Sequence, residues 1–391
     1  MLQKPTASDL AVANPVRIAA LDRARTLITL LVVLHHAVIN YTWFGHGDRM
    51  RWLGFDLVVL FNDSFFMACM FFISGLFVRD SLARRGPKDF LARRAWRLGV
   101  PFLVSIFVIM PIAYYPSFVR YNPQAADFNF LQFWWHTMAV GPWPSGSAWF
   151  LWVLLALDAI TALLWATVQR AIEALGQPIY ALRDRPITAF LAFLVFTIVI
   201  YLPMRLIFGD SSWLVPGHYP LPIQTSRILL YAGYFFAGVA VGTAGLRTGA
   251  LGALAKRWMA WLAVALVSYG AILAMVYIHH SGLIDLNSPP LWWHTAYGLA
   301  FATFSAAMTF TVPALFLRFG RSPFRLLDAM RPQAYGIYLL HFIPLIWLQY
   351  AVYDPAIPAF VKFAIVFTGT LSMSWALTVL LRKIPVVART I

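Results

Sequence analysis

The chain has 391 residues, of which 61% are apolar and only 12% are charged. Soluble domains carry about 25% charged residues, so this composition cannot cover a water-facing surface; a disordered chain and a coiled coil are excluded as well. The single cysteine, Cys69, excludes a secreted disulfide scaffold. The net charge of +15 is carried by short clusters between apolar runs, which is typical of topology signals and not of a nucleic-acid-binding surface.

Ten apolar runs have the length of about 20 residues that a membrane-spanning helix needs. They lie at 26–44, 55–78, 97–115, 147–168, 187–208, 225–245, 259–279, 293–316, 334–353 and 360–381. The sequence therefore predicts an all-α, polytopic membrane protein with about ten transmembrane helices in one bundle. We divide it into an N-terminal segment (1–20), one transmembrane domain (21–385) and a tail (386–391).

The lysines and arginines indicate the orientation. Of the 30 residues, 24 lie in the termini and the segments that follow even-numbered spans, and six lie on the opposite side. Cytoplasmic segments carry the positive excess, so both termini are predicted to be cytoplasmic. The first 20 residues lack an apolar stretch with a cleavage site, so we expect no signal peptide.

The first span carries charged residues and two histidines. Arg25 and His36 are eleven residues apart, so they share one helix face and are separated by about 16 Å along the axis; His35 points about 100° away. Asp22 can pair with Arg25. A cation near the cytoplasmic end of the helix suits a phosphate, and a histidine deep in the membrane suits proton transfer. A long donor with an anionic head and a reactive far end, such as acyl-coenzyme A (acyl-CoA), would span the two residues. Alternatively, Arg25 is a topology signal and His36 bonds a neighbouring helix.

The second span contains Asp63 in its outer half and the pair Ser74-Gly75 near its end. A carboxylate in the membrane is costly, so Asp63 either lines a water-filled cavity or forms an ion pair. Small residues such as Ser74 and Gly75 favour close helix packing.

A segment rich in arginine, 79–97, is expected to be a cytoplasmic loop. Its seven cations act as a topology signal and attract anionic lipid, and they could also attract a nucleotide phosphate. Arg93, Arg94 and Arg97 lie within one turn at the start of the third span.

On the outer side, the longer segments 116–146 and 209–224 are predicted to be irregular loops. Their aromatic residues are either interfacial anchors or a rim on which sugar rings stack. These residues include Trp134, Trp135, Trp143, Trp213 and Tyr219.

Two later spans carry further polar residues. Asp158 lies inside the fourth span. In the ninth span Tyr335, Tyr338 and His341 share roughly one face, and His341 is more readily explained as a core histidine than as a catalytic one. The histidines lack metal-ligand spacing, so no metal site is expected.

Together these features resemble the integral-membrane acyltransferase family 3, whose members modify bacterial surface and periplasmic carbohydrates. The resemblance rests on Leu21-Asp22 with Arg25-x10-His36, Phe71-Phe72-Ile73-Ser74-Gly75, Arg93-Arg94-x2-Arg97-x3-Pro101, Trp149-Phe150-Leu151 and Tyr335-Gly336-Ile337-Tyr338-Leu339-Leu340-His341. These stretches follow the family's order over nearly the whole chain. Phe61-Asn62-Asp63 looks like the branch that succinylates periplasmic glucans. Two departures are Ala334, where the family motif often has serine, and the lack of an extra hydrolase-like domain.

The resemblance implies a multi-pass enzyme of the bacterial inner membrane. It would transfer an acyl group, acetyl or possibly succinyl, from cytoplasmic acyl-CoA to a hydroxyl of a periplasmic or cell-surface carbohydrate. Arg25, Arg93, Arg94 and Arg97 are expected to hold the coenzyme phosphates. His36 would be the general base or the acyl acceptor, Asp63 would orient the carbohydrate, and Tyr338 or a neighbouring amide would stabilise the oxyanion.

Two other classes of function fit some of these features. A transporter or flippase of a lipid-linked sugar or small anion would place the same charges along a pathway, although the sequence shows no paired repeats with broken helices. A purely structural role in an envelope complex would leave the cost of burying Arg25, His36 and Asp63 unexplained.

Overall fold

The computed structural model describes residues 15–45, 47–122, 129–141, 143–210, 212–214, 221–245, 250–285, 287–320 and 324–391. Its nineteen α-helices within these ranges are α1 Pro15–Ile39, α2 Leu53–Asp63, α3 Phe66–Gly75, α4 Val78–Arg94, α5 Val100–Val104, α6 Met110–Tyr121, α7 Phe130–Val140, α8 Trp149–Ala174, α9 Gly176–Ala181, α10 Pro186–Phe208, α11 Ile228–Ala244, α12 Ala250–Lys256, α13 Trp258–His280, α14 Leu291–Phe319, α15 Arg325–Met330, α16 Ala334–Leu340, α17 Phe342–Ala351, α18 Ala359–Leu381 and α19 Pro385–Ala388. Two short antiparallel strands, β1 Trp213–Leu214 and β2 Ile223–Gln224, pair with each other. The predicted all-α class is confirmed.

Eight helical segments in the described ranges are long and apolar enough to cross a membrane. A ninth is added if Arg325–Leu340 and Phe342–Ala351, bent by 63° at their junction, form one span. These nine correspond to nine of the ten predicted spans. The remaining predicted span, the first one, is α1, whose first half carries Asp22, Arg23 and Arg25 and is therefore more polar than the other spans.

The segment predicted as a cytoplasmic loop, 79–97, is helical and not a loop, whereas its cytoplasmic location stays a prediction. Val78–Tyr121 forms one 44-residue helical stretch, interrupted by a break at Gly86, where φ is 75°. Glycine tolerates this left-handed conformation and the following Pro87 suits the first turn of a new helix, so the chain bends and continues as a helix.

The same stretch contains two π-helical turns, Ala95–Gly99 and Ser105–Ile109. Each is followed two residues later by a proline, Pro101 and Pro111, which has no N–H to donate to the helix. Wider turns of this kind are common where the regular hydrogen-bond ladder is disturbed.

Helix α7 lies inside the segment 116–146 that the sequence analysis assigned to an irregular loop. Asn129 begins α7 with a capping box: its side chain accepts from the Gln132 backbone N–H, and the Gln132 side chain accepts from the Asn129 N–H. These reciprocal bonds satisfy two donors at the helix start, which explains why a helix forms here. Tyr219, in the second predicted loop at 209–224, lies outside the described residues.

Helix α3 packs closely on α11 because both carry glycine at the contact. A Cβ on Gly75 would collide with the Phe235 carbonyl oxygen, and a Cβ on Gly238 would collide with that of Phe72. The predicted close packing at Gly75 is thereby confirmed.

The bundle has a buried centre and an apolar surface. Most of α14 is buried, whereas α10, α13 and α18 leave large apolar side chains exposed, among them Val199, Val267 and Leu380. An apolar outer surface of this kind is suited to lipid, which supports a multi-pass membrane protein.

Candidate active site

One face of α1 borders two adjoining cavities. We call the first the arginine cavity, because Arg25, Arg94, Arg97 and Arg331 line it; its volume is about 690 Å³. The second, the histidine cavity, is lined by His35 and His36 and has a volume of about 930 Å³. Arg25 and His36 therefore reach neighbouring spaces along α1, with about 16 Å of helix rise between them.

In the arginine cavity the cations outnumber the carboxylates. Asp22 is the one carboxylate among the described lining residues. It lies 3.8 Å from an Arg25 nitrogen, which confirms the predicted pair, and Arg25 also donates to the Ile73 carbonyl at 3.3 Å. The Arg94 Nε atom lies 3.2 Å from an oxygen of Asp158, which is fully buried.

Arg97 and Arg331 make no ion pair within the described part of the chain. Both line the arginine cavity, so their guanidinium groups are available to a ligand. Arg93, the third arginine of its motif, is exposed and lines neither of the two cavities. The structure thus brings Arg25, Arg94 and Arg97 together and adds Arg331, which the sequence analysis did not select.

His36 lies at the inner end of the histidine cavity. Its Nδ1 atom is 2.8 Å from the Val32 carbonyl one turn earlier, and the Gln349 side chain donates to the His36 carbonyl at 3.1 Å. A carbonyl oxygen only accepts, so Nδ1 carries the proton and Nε2 has a free lone pair. His35 lines the same cavity because this cavity extends around α1.

His341 faces His36 across the cavity wall. Its Nδ1 atom is 2.7 Å from the Tyr338 carbonyl, so Nδ1 is protonated and the Nε2 lone pair points outward. This Nε2 atom lies 3.4 Å from Nδ1 of His36. His341 is completely buried, as expected of a core histidine, but it is also in contact with the predicted catalytic histidine.

Asp63 both lines the histidine cavity and forms an ion pair, so both interpretations that the sequence left open are correct. Arg227 donates two hydrogen bonds to its carboxylate, from one nitrogen to Oδ1 at 2.8 Å and from the other to Oδ2 at 2.5 Å. A second pair reaches the cavity through Asp210, which lines it and lies 3.0 Å from Arg205. The charged side chains that line this cavity in the described part of the chain are therefore already paired.

The two cavities meet at a layer of side chains that both of them share. Val32, Met67 and Tyr338 line both of them. The Tyr338 hydroxyl donates to the Ser147 carbonyl, which occupies its only proton. An oxyanion role for Tyr338 stays a prediction, and it would require this bond to be exchanged for one to the reacting carbonyl.

Comparison with known families assigns the chain. Residues 18–379 match a family described as an acyltransferase domain. The chain belongs to the integral-membrane acyltransferase family 3. Comparison with curated proteins gives no match.

Aromatic side chains form part of the wall of the histidine cavity in this acyltransferase. Trp149, Trp213 and Tyr231 line it, whereas Trp134 and Trp135, from the same group of predicted anchors or stacking residues, do not. Tyr231 also stacks on Phe71, whose ring centroid lies 5.1 Å away. Only some of the outer aromatic residues thus reach the candidate site.

Three residues of the acyltransferase site were not selected from the sequence: Arg331, His341 and Arg227. Each lies on a different element from the residue it faces, so no spacing within one helix connects them. The family motif from Tyr335 to His341 includes His341, and Arg331 lies four residues before its first residue. In the described ranges, no group of three or more His, Cys, Asp and Glu side chains is arranged to hold a metal ion.

Proposed function

We propose that this membrane acyltransferase moves an acyl group from acyl-CoA, bound in the arginine cavity, to a hydroxyl of a carbohydrate bound in the histidine cavity. The contrast between the two cavities carries this proposal. Among the described residues, four arginines and one aspartate line the arginine cavity. The charged side chains of the histidine cavity are paired.

The arginine cavity suits the phosphates of coenzyme A. Arginine binds phosphate oxygens through two parallel N–H groups and keeps its charge at any physiological pH. Arg97 and Arg331, which have no carboxylate partner in the described chain, are the first candidates for these contacts. The pantetheine arm would extend along α1 toward His36.

The histidine cavity suits a neutral polyhydroxylated acceptor. The Asp63–Arg227 pair offers oxygen and nitrogen atoms for hydroxyl groups, and Trp149 and Trp213 offer aromatic faces. Since Arg227 is already engaged by Asp63, a neutral acyl group such as acetyl fits this space better than succinyl. A succinyl carboxylate would have to share Arg227.

In the direct route, His36 Nε2 removes the proton of the acceptor hydroxyl. The hydroxyl oxygen then attacks the thioester carbonyl, the new C–O ester bond forms and the C–S bond breaks. Coenzyme A leaves as a thiolate and takes up a proton. General-base help of this kind contributes about 10²–10⁴-fold in rate.

In the covalent route, the same Nε2 atom attacks the thioester carbonyl, an N–C bond forms and the C–S bond breaks with loss of the coenzyme A thiolate. The acceptor hydroxyl then attacks this acyl group, the C–O bond forms, the C–N bond breaks, and the imidazole that is released takes up the hydroxyl proton. Both routes need a neutral Nε2 atom and a fixed ring. The Val32 carbonyl fixes the His36 tautomer, and His341 Nε2 faces the Nδ1 proton, where it stabilises the positive charge that forms on the imidazole.

We propose the following orientation. The arginine cavity opens to the cytoplasm, where acyl-CoA is made, and the histidine cavity opens to the periplasm of a bacterial inner membrane. The unequal distribution of lysine and arginine supports this orientation, because the cation-rich end of the bundle is then cytoplasmic.

Reconstitution tests the proposed function. The purified protein is placed in liposomes with labelled acetyl-CoA or succinyl-CoA and a mixed pool of glycans. We expect label on a glycan with the wild-type protein. His36→Ala should lower transfer at least 100-fold and retain coenzyme A binding, since the arginine cavity is untouched.

His280→Ala is the matched control. His280 makes the same bond from Nδ1 to the carbonyl one turn earlier, at 2.9 Å, but it is exposed on α13 and lines neither cavity. Its transfer rate should equal that of the wild type. If the wild-type protein bound neither donor and instead moved a glycan or a small anion across the liposome membrane, the transporter alternative would replace the enzyme.

A further inference from the structure

Three prolines interrupt the hydrogen bonds of the helical stretch Val78–Tyr121 beyond its bend: Pro101, Pro111 and Pro116. A proline has no N–H, so the carbonyl four residues earlier loses its usual partner in the helix. A carbonyl left unpaired inside a membrane protein is costly, and other groups normally satisfy it.

Each of these three carbonyls accepts a hydrogen bond from an aromatic side chain of another element. The pairs of donor and acceptor are Tyr335 Oη to Arg97 O at 2.5 Å, Trp134 Nε1 to Phe107 O at 2.8 Å and Trp347 Nε1 to Ile112 O at 2.9 Å. The same arrangement therefore occurs three times along one helical stretch of this chain.

The first cap lies at the arginine cavity. Arg97, whose carbonyl is capped, also lines that cavity, and Arg94, which directly precedes the same π-helical turn, does so too. Tyr335 lies on α16, the helix that brings Tyr338 to the layer between the cavities. One hydroxyl therefore joins the backbone of the cation-bearing turn to the helix that forms the cavity wall.

We propose that Tyr335 is a positioning residue for the donor site. By capping the Arg97 carbonyl that Pro101 leaves free, it holds the turn at Ala95–Gly99 in the conformation that directs Arg94 and Arg97 into the arginine cavity. The assignment of the donor rests on the proposed function. Tyr335 also lines the arginine cavity, but its hydroxyl proton is engaged by the Arg97 carbonyl, so we assign its effect to the backbone of Arg97 and not to a bond with the coenzyme.

Tyr335→Phe removes the hydroxyl and keeps the ring. The KM for acyl-CoA should rise about fivefold, the ratio that one ordinary hydrogen bond corresponds to, and kcat should change less than twofold. A general loss of folded protein would instead lower the amount of active enzyme and leave this KM unchanged.

Pro101→Ala supplies the missing N–H and so gives the rescue. With an N–H at position 101, the Arg97 carbonyl can bond within its own helix, and the Tyr335 hydroxyl becomes dispensable. The double variant Tyr335→Phe/Pro101→Ala should therefore recover most of the lost donor affinity. Such a cycle measures the coupling between the two positions directly.

Trp134→Phe is the matched control, because Trp134 caps the carbonyl freed by Pro111 on the same helix and lines neither cavity. It should lower thermal stability in detergent and leave the KM for acyl-CoA unchanged. An equal rise in KM for Trp134→Phe and Tyr335→Phe, or a double variant as impaired as Tyr335→Phe, would overturn the proposal.

A measurement without ligand separates this proposal from the proposed function. Thermal unfolding of the four proteins of the cycle should show that Tyr335→Phe is more destabilising in the wild-type background than in the Pro101→Ala background. If the wild type failed to bind acyl-CoA, the proposed function would be wrong. The coupling between the two substitutions would still show whether the Tyr335 hydroxyl caps the Arg97 carbonyl. Additive effects on the unfolding temperature would show that the cap does not exist.

Discussion

The two cavities contain similar groups but differ in how their charges are matched. In the arginine cavity, Arg97 and Arg331 have no carboxylate partner within the described chain, and Arg25 is 3.8 Å from Asp22. In the histidine cavity, Arg227 is held by two short bonds to Asp63. Cations without a carboxylate partner attract an anion from solution. An ion pair has no net charge, so it offers hydrogen bonds to neutral polar groups without attracting an anion. The comparison shows that pairing, and not the mere presence of arginine, indicates what each cavity can bind.

The largest expected effect comes from breaking the matched pair. Asp63→Asn leaves Arg227, which is 5% exposed, with a buried charge and no carboxylate partner. Removing one partner of a fully buried pair costs about 3–5 kcal/mol; because Asp63 is 41% exposed, we expect about 2 kcal/mol of stability and a loss of transfer. Thermal unfolding in detergent and the transfer assay measure the two losses.

Asp184→Asn is the control for this experiment, since Asp184 pairs with Arg183 at 3.2 Å and is 77% exposed. It should alter stability by less than about 0.5 kcal/mol. Equal stability losses in the two variants would mean that the Asp63 pair is no more important than an exposed one.

An intermediate effect is expected from removing an unmatched cation. Arg97→Ala should raise the KM for acyl-CoA about tenfold, because it deletes one charged hydrogen bond to a phosphate, and should leave acceptor binding unchanged. Arg84→Ala removes an exposed arginine that lies on α4 outside both cavities and should leave both constants unchanged. Steady-state kinetics with each substrate varied in turn distinguish the two variants. An equal rise in the KM for acyl-CoA in both variants would imply that only the total positive charge of the protein matters.

The smallest effect is a response to salt that needs no variant. Screening at high ionic strength weakens interactions of unmatched charges, since the Debye length falls from about 10 Å at 0.1 M to about 3 Å at 1 M. The KM for acyl-CoA should rise severalfold over this range, and the KM for a neutral glycan should stay within twofold. A glycan KM that responded as strongly as the donor KM would contradict the contrast between the cavities.

The sequence predicted those features of the site that lie within one helix. The spacing from Arg25 to His36 placed both on the face of α1 that borders the cavities, because helix geometry fixes the direction of each side chain. The pair between Asp22 and Arg25 followed from the same periodicity. All-α architecture and nine of the predicted spans were accessible from hydropathy alone.

The remaining features depend on contacts between distant parts of the chain. The bond from Arg227 to Asp63 joins residues 164 positions apart, and the contact between His341 and His36 joins residues 305 positions apart. No local pattern encodes such distances. Helix α7 is different, because its capping residues Asn129 and Gln132 are a local signal in the sequence, although prolines and tryptophans dominate that segment.

The layer of Val32, Met67 and Tyr338 has an electrical consequence. If the two cavities fill with water and open to opposite sides as proposed, they carry the bulk potentials inward, and most of a membrane voltage falls across these few side chains. One elementary charge that crosses 100 mV exchanges about 2.3 kcal/mol with the field. In the proposed orientation, with the cytoplasm negative, an acyl group that bears a carboxylate is driven outward by the voltage, whereas a neutral acetyl group crosses without this contribution.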